Sequence, residues 1–163
     1  MKAGILTVSD KGVRGEREDK SGPAIREMIE AAGGEVVRTR IVPDEPDEIR
    51  AVLIAWSDEG LDLVLTTGGT GFSPRDRTPE ATKSVIEREA PGLAEAMRRA
   101  GAERTPAAIL SRAAAGIRKA TLIVNLPGSE KAVRESLAAI LPVLPHGIDI
   151  LKGTASECGK PGT

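Results

Sequence analysis

Aromatic side chains are almost missing from this 163-residue chain, which has one Trp, one Phe and no Tyr. A core must therefore be assembled from Val, Ile, Leu and Ala. Recognition of nucleic acid through stacked bases is disfavoured, because single-strand binders and the common RNA modules need aromatic platforms. An excess of one charge is missing too. Basic and acidic residues number 23 and 24, interspersed rather than blocked, for a net charge of -1. That removes any electrostatic case for DNA, RNA or an anionic membrane as the main partner. Cysteine and histidine occur once each, at Cys158 and His146. They cannot supply an internal disulfide, a cysteine or multi-histidine metal site, or a credible Cys–His catalytic pair. His146 is expected to be structural. The first apolar run stops at Ser9-Asp10, too early for a signal peptide or a membrane span. A reduced, cytoplasmic setting is the expectation.

What is present reads as strand alternating with helix. "AGILTV" (3–8) is a short continuous apolar run, as in a strand buried on both faces. A polar loop follows through "SDKGVRGEREDKSG". Pro23 then sits in the first turn of a helix that Gly33-Gly34 terminates. Residues 36–42 form a second strand. The next helix carries Ile49, Val52, Leu53 and Trp56 on one face. A third strand spans 61–66. Helix restarts at Thr78-Pro79 and continues to about Ala90, with a second piece over 93–100 and a helical turn over 107–112. Two short strands, 114–118 and 121–126, flank Lys119. A last long helix covers "PGSEKAVRESLAAILPVL", and "HGIDILKG" closes the domain. The order implies a three-layer α/β/α domain over residues 1–153, with a mostly parallel sheet and one antiparallel strand. Residues 154–163 are expected to be a flexible tail.

Open α/β sheets place ligands beyond the carboxyl ends of their strands. Four such ends carry small or polar residues: Ser9-Asp10, Asp44, Gly68 to Asp76, and Asn125 to Ser129. The third holds "LTTGGTGFSPRDRTPEAT". Its glycines Gly68, Gly69 and Gly71 could turn backbone N–H groups toward one anion, with Thr67 and Thr70 adding hydroxyls, or could simply form a tight connection. The P-loop lysine is absent, since Phe72-Ser73 follows the last glycine. The length of the segment favours function over a plain turn.

Pro46 and Pro79 favour first helical positions, which makes Glu45 and Thr78 the caps and leaves Asp44 and Asp76 outside. Two carboxylates beside a phosphate loop suit Mg²⁺, although each could also be a solvated surface acid. Gly128 and Ser129 stand at a helix N-terminus, where either anion binding or simple N-capping by Ser129 is available. Arg112, after Ser111, is open to two roles: anion ligand or surface charge.

"TVSD", "PDE", "LTTGGTG", "PRDRTPEAT", "LSR" and "NLPGS" occur here in an order that resembles the molybdopterin adenylyltransferase family of MogA/MoaB-type proteins. The resemblance covers about residues 2–153. It implies an enzyme of molybdenum cofactor biosynthesis that uses Mg-ATP to adenylylate the terminal phosphate of molybdopterin, releasing pyrophosphate. The other reading is a non-catalytic molybdopterin-binding paralogue. By position, the resemblance makes Asp44 and Asp76 the two essential carboxylates and Mg²⁺ ligands. It assigns ligand binding to Ser9, Asp10, Thr67, Gly68, Gly69, Thr70, Gly71, Arg75, Ser111, Pro127, Gly128 and Ser129. It further implies a homotrimer or hexamer and a downstream protein that inserts molybdenum.

Overall fold

Side chains along strand β1 (Lys2–Val8) alternate between two cores, and this alternation organises the molecule. Ala3 and Ile5 enter one core and Leu6 and Val8 the other, as the two-residue period of a strand requires. The computed structural model describes residues 1–155. After β1 come α1 (Asp10–Val13), α2 (Ser21–Ala31), β2 (Glu35–Val42), α3 (Pro46–Asp58), β3 (Leu63–Thr67), α4 (Thr78–Val85), β4 (Arg88–Glu89) and α5 (Pro91–Ala102). A 3₁₀ turn (Pro106–Leu110), β5 (Ala115–Arg118), β6 (Thr121–Leu126), α6 (Glu130–Ile140), a second 3₁₀ turn (Leu141–Val143) and α7 (Leu144–Leu151) complete the order.

The six strands are ordered β2-β1-β3-β6-β5-β4. β1 is parallel to β2 and β3, and β3 to β6. β5 is antiparallel to both β6 and β4, so β5 alone runs against the rest. Three layers result. Ile25 and Ile29 of α2, Met97 of α5, Leu137 of α6 and Ile148 of α7 cover one face. Ile49, Leu53 and Trp56 of α3 and Val85 of α4 cover the other. Among the described residues, no helix is long and apolar enough to cross a membrane.

Four local expectations are corrected. Part of the loop after Ser9 is helical, because the Ser9 hydroxyl accepts the Gly12 amide and starts α1. The helix from Thr78 stops at Val85 rather than near Ala90. Glu87 and Ala90 instead donate to Ile117 and Ala115 on β5, each at 2.8 Å, so a sheet edge replaces the last helical turns. The cap of α4 is Arg77, one residue earlier than expected, with Thr78 already helical. The last long helix is interrupted at residues 141–143, where Pro142 cannot continue the α-helical ladder, and resumes as α7. The expected tail from 154 lies outside the described residues beyond 155, as does Cys158.

At the amino ends of the strands, buried Asp62 collects both ends of the described chain. It accepts the Lys2 amide at 2.7 Å, lies 3.9 Å from the Met1 ammonium and 2.5 Å from Lys152 Nζ. Burial pushes its carboxyl upward, but the hydrogen bonds from Lys152 and Lys2 outweigh that and hold it below the usual carboxylate range.

Candidate active site

The carboxyl ends of β1, β2, β3 and β6 open on one cleft of about 900 Å³. β1 contributes Ser9 and Asp10, and β2 contributes Asp44. Gly68, Gly69, Arg75 and Asp76 come from the β3–α4 loop, and Gly128 and Ser129 from the β6–α6 turn. All four strand ends singled out in the sequence therefore meet.

The glycines at 68 and 69 are required by geometry. Their φ angles are +95° and +65°, in the left-handed region that other residues rarely enter. A Cβ on Gly68 would lie 2.3 Å from the Val8 carbonyl oxygen. One on Gly69 would lie 2.3 Å from Thr78 Oγ1 and 3.2 Å from Asp44 Oδ1. The Gly68 amide donates to Leu126 O at 3.3 Å. The amides of Gly69, Thr70 and Gly71 have no acceptor among the described residues. Gly69→Ala should cost about 2–5 kcal/mol, from a left-handed alanine at about 1–2 kcal/mol and a steric conflict of about 1–3 kcal/mol. Denaturant unfolding measures this. Thr78→Ala should restore the steric part in a double mutant, and no recovery would show that the conflict lies elsewhere.

Other residues implied by the resemblance are placed differently. Thr67 borders the cleft, but its Oγ1 donates its proton to Pro127 O at 2.6 Å, so the hydroxyl braces β3 against the β6–α6 turn. Thr70 is buried, and neither it nor Gly71 borders the cleft. Ser111 and Pro127 border a second cavity of about 250 Å³ between α5 and α6. Behind the cleft, fully buried Asn125 fixes the carboxyl ends of the central strands. Its amide donates to Thr66 Oγ1 at 3.0 Å and to Thr82 Oγ1 at 2.8 Å, and its oxygen accepts the Ala114 amide.

The carboxylates are not equivalent. Asp10 and Asp44 exchange bonds: the Asp10 amide donates to Asp44 Oδ2 at 2.9 Å, and the Asp44 amide to Asp10 Oδ1 at 3.0 Å. Burial pushes the Asp44 carboxyl above its ordinary value. The Asp10 amide opposes this, while the charges of Asp10 and Asp76 add to it. The Arg75 guanidinium, donating at 2.6 and 3.0 Å, holds the Asp10 carboxyl below its ordinary value. Arg75 also donates to Glu45 at 2.9 Å, so it closes the rim between the β1 and β2 ends. Glu45 caps α3 through its backbone only, and Asp44 lies outside the helix as expected. Asp76 accepts the Ser73 amide on Oδ2 at 3.1 Å and caps nothing. Ser129, by contrast, does cap α6, accepting the Ala132 amide at 3.2 Å.

Sequence reasoning missed the α1–α2 wall of the cleft. Lys11, Arg17 and Lys20 border it, and none forms an ion pair among the described residues. Asp19, on the same wall, accepts the Thr7 hydroxyl at 2.7 Å and the Gly22 amide at 2.9 Å. The available signal was the density of charge in "GEREDKSG", which belongs to no amphipathic face. Arg112 takes neither of its two expected roles. Its guanidinium donates to the carbonyls of Gly71 and Asp76 and to the Glu80 carboxylate.

Fold and cleft together define a doubly covered α/β domain whose main cleft lies at the strand carboxyl ends, where open sheets of this class place ligands, and is lined by glycine turns, a helix N-terminus and paired aspartates. A family model described as a probable molybdopterin binding domain matches residues 4–146. The chain belongs to that family. It is 46% identical over 160 residues to the molybdopterin adenylyltransferase of Helicobacter pylori, covering 96% of this chain and 91% of that protein. It is 43% identical over 158 residues to gephyrin of Dictyostelium discoideum, covering 91% of this chain but spanning only 22% of gephyrin's length. Its structure is similar to that of the molybdopterin biosynthesis enzyme MoaB from Thermus thermophilus. The TM-score is 0.89 at 59% identity, over 93% of this chain and 96% of that one.

Proposed function

We propose that the protein is a molybdopterin adenylyltransferase of molybdenum cofactor biosynthesis and that the 900 Å³ cleft is its active site. The observation that carries this reading is the convergence of Asp44 and Asp76, neither engaged in capping, on the glycine turn at 68–69. The reaction joins an oxygen of the molybdopterin phosphate to the α-phosphorus of ATP and breaks the bond to the β-phosphate, releasing pyrophosphate. The attacking phosphate is already ionised, so no histidine or cysteine is required. The protein's task is to orient two anions and offset their repulsion.

The residues fit Mg²⁺. Asp44 Oδ1 is not the oxygen held by the Asp10 amide, and the carboxyl is pushed upward by burial and by neighbouring acids, which a cation would offset. One or two carboxylates completed by phosphate and water oxygens are the set Mg²⁺ takes. Bound there by Asp44 and Asp76, it would neutralise charge developing on the transferred phosphoryl group. The Gly69 amide, which borders the cleft, and the start of α6 supply further positive potential. Lys11, Arg17 and Lys20 offset phosphate charge from the opposite wall.

The expected assembly is a homotrimer or hexamer. Phe72, Ile109 and Leu110, exposed by 69%, 65% and 50% in the single chain, support association. The setting is cytoplasmic, and a separate molybdenum-inserting protein consumes the product. The deciding experiment incubates purified protein with molybdopterin and Mg-ATP and follows pyrophosphate. Stoichiometric, molybdopterin-dependent release is expected. Molybdopterin binding without release would replace the enzyme reading with that of a binding paralogue.

A further inference from the structure

Arg112 leaves the 3₁₀ turn Pro106–Leu110 and reaches across to the β3–α4 loop. Its Nε donates to Gly71 O at 2.8 Å and its Nη2 to Asp76 O at 2.7 Å. Nη1 donates to the Glu80 carboxylate in the first turn of α4, and the Arg112 amide donates to Thr70 O at 2.9 Å. One residue thus closes both ends of the 71–76 segment and ties it to the helix that follows. Burial pushes the Glu80 carboxyl upward, but the Arg112 guanidinium outweighs it, so the pair stays ionised at neutral pH. On the cleft side, the Arg75 guanidinium ties the segment to Asp10 and Glu45; its other hydrogen bonds are local, the Asp76 amide to Ser73 O at 2.9 Å and the Ser73 amide to Asp76 Oδ2.

We propose that Arg112 is a positioning residue for Asp76, setting its carboxylate and the adjacent row of amides from behind the loop without touching substrate. Arg112 does not border the cleft. It faces the opposite side of the loop, beside Phe72 and Arg77. Its donors are already committed to two carbonyls and a carboxylate, which leaves little for an anion. Three acceptors at different positions require the planar fork of a guanidinium, and a lysine ammonium cannot span them. Gly71 packs directly against the carboxylate, since a Cβ there would lie 2.9 Å from Asp76 Oδ2. A small drift of the segment would therefore displace the carboxylate. Misplacement by about 1 Å can cost about 100-fold in rate.

The test compares Arg112→Lys, Arg112→Gln and Glu80→Gln with the wild type. Amide exchange of residues 72–77 should accelerate at least about 10-fold in both Arg112 variants, as local opening becomes easier. Mn²⁺-ATP affinity, read by electron paramagnetic resonance, should weaken about 10-fold, while the molybdopterin Kd stays within about 2-fold. Turnover should fall about 100-fold, chiefly in kcat; this arm and the Mn²⁺-ATP arm rest on the adenylyl-transfer reading, and amide exchange does not. Glu80→Gln, which keeps both carbonyl bonds, should move the same readouts less. In an Asp76→Asn background, Arg112→Lys should weaken Mn²⁺-ATP no further. Unchanged exchange in Arg112→Lys, additive loss in the Asp76→Asn background, or weakened molybdopterin binding with kcat preserved would each overturn the proposal. Failure of Arg112→Gln to fold would leave Arg112→Lys and Glu80→Gln to decide. A wild-type protein that released no pyrophosphate would defeat the adenylyl-transfer reading, while the exchange measurement still judged Arg112.

Discussion

Asp76→Ala should reduce pyrophosphate release about 100- to 1,000-fold, the loss typical when one preorganised group that stabilises transition-state charge is removed. Molybdopterin binding should survive. The carboxylate makes one hydrogen bond, to the Ser73 amide, and its backbone carbonyl remains available to Arg112. The fold should also survive, because Asp76 neither caps α4 nor enters either core. Isothermal titration with molybdopterin and a pyrophosphate assay on the same preparation separate the two effects. Parallel losses of binding and turnover would mean that Asp76 holds molybdopterin rather than the metal-nucleotide. Unchanged turnover would remove it from the site.

Asp44→Asn should be the second severe lesion in activity, also about 100-fold or more, yet it should not destabilise the protein. Burial and the neighbouring charges of Asp10 and Asp76 raise the Asp44 carboxyl above its ordinary value in the folded state. A group raised in this way takes up a proton more readily folded than unfolded. Its ionised form therefore opposes folding at neutral pH, and the penalty fades as pH falls through the raised value and then the ordinary one. Asparagine cannot ionise, and its side-chain oxygen can still accept the Asp10 amide. The variant should melt at or above the wild-type temperature at pH 7, and the gap should close toward the ordinary carboxylate range. Mg-ATP should raise the wild-type melting temperature and have little effect on the variant. A variant that melted lower at pH 7 and gained from Mg-ATP as wild type does would show that Asp44 is neither strained by its neighbours nor a metal ligand.

The legible part of this protein is the part governed by short-range rules. Strand runs such as 3–8 and 121–126, and the release of Asp44 from capping by Pro46, follow from residues within four or five positions of one another. The meeting of four loops follows from the general rule for open sheets. Failures began where a distant partner decided the outcome. Residues 86–90 leave the helical path because β5, about thirty positions later, offers a ladder. Arg112 could not be assigned because its acceptors lie at 71, 76 and 80, and a carbonyl oxygen carries no sequence signal. Thr67 read as a free hydroxyl until Pro127, sixty residues away, proved to be its acceptor. Lys11, Arg17 and Lys20 were passed over because a long polar stretch gives no periodicity from which to tell the wall that faces the cleft.

The Asp62 cluster bears on the architecture of this domain. Met1, Lys2 and Lys152 gather at the amino ends of the strands, while the cleft opens at the carboxyl ends, about 20 Å away along β1. Met1 and Lys152 therefore both lie on the side of the sheet away from the cleft. One buried carboxylate thus fastens the first and last described elements together at the pole of the sheet opposite the chemistry.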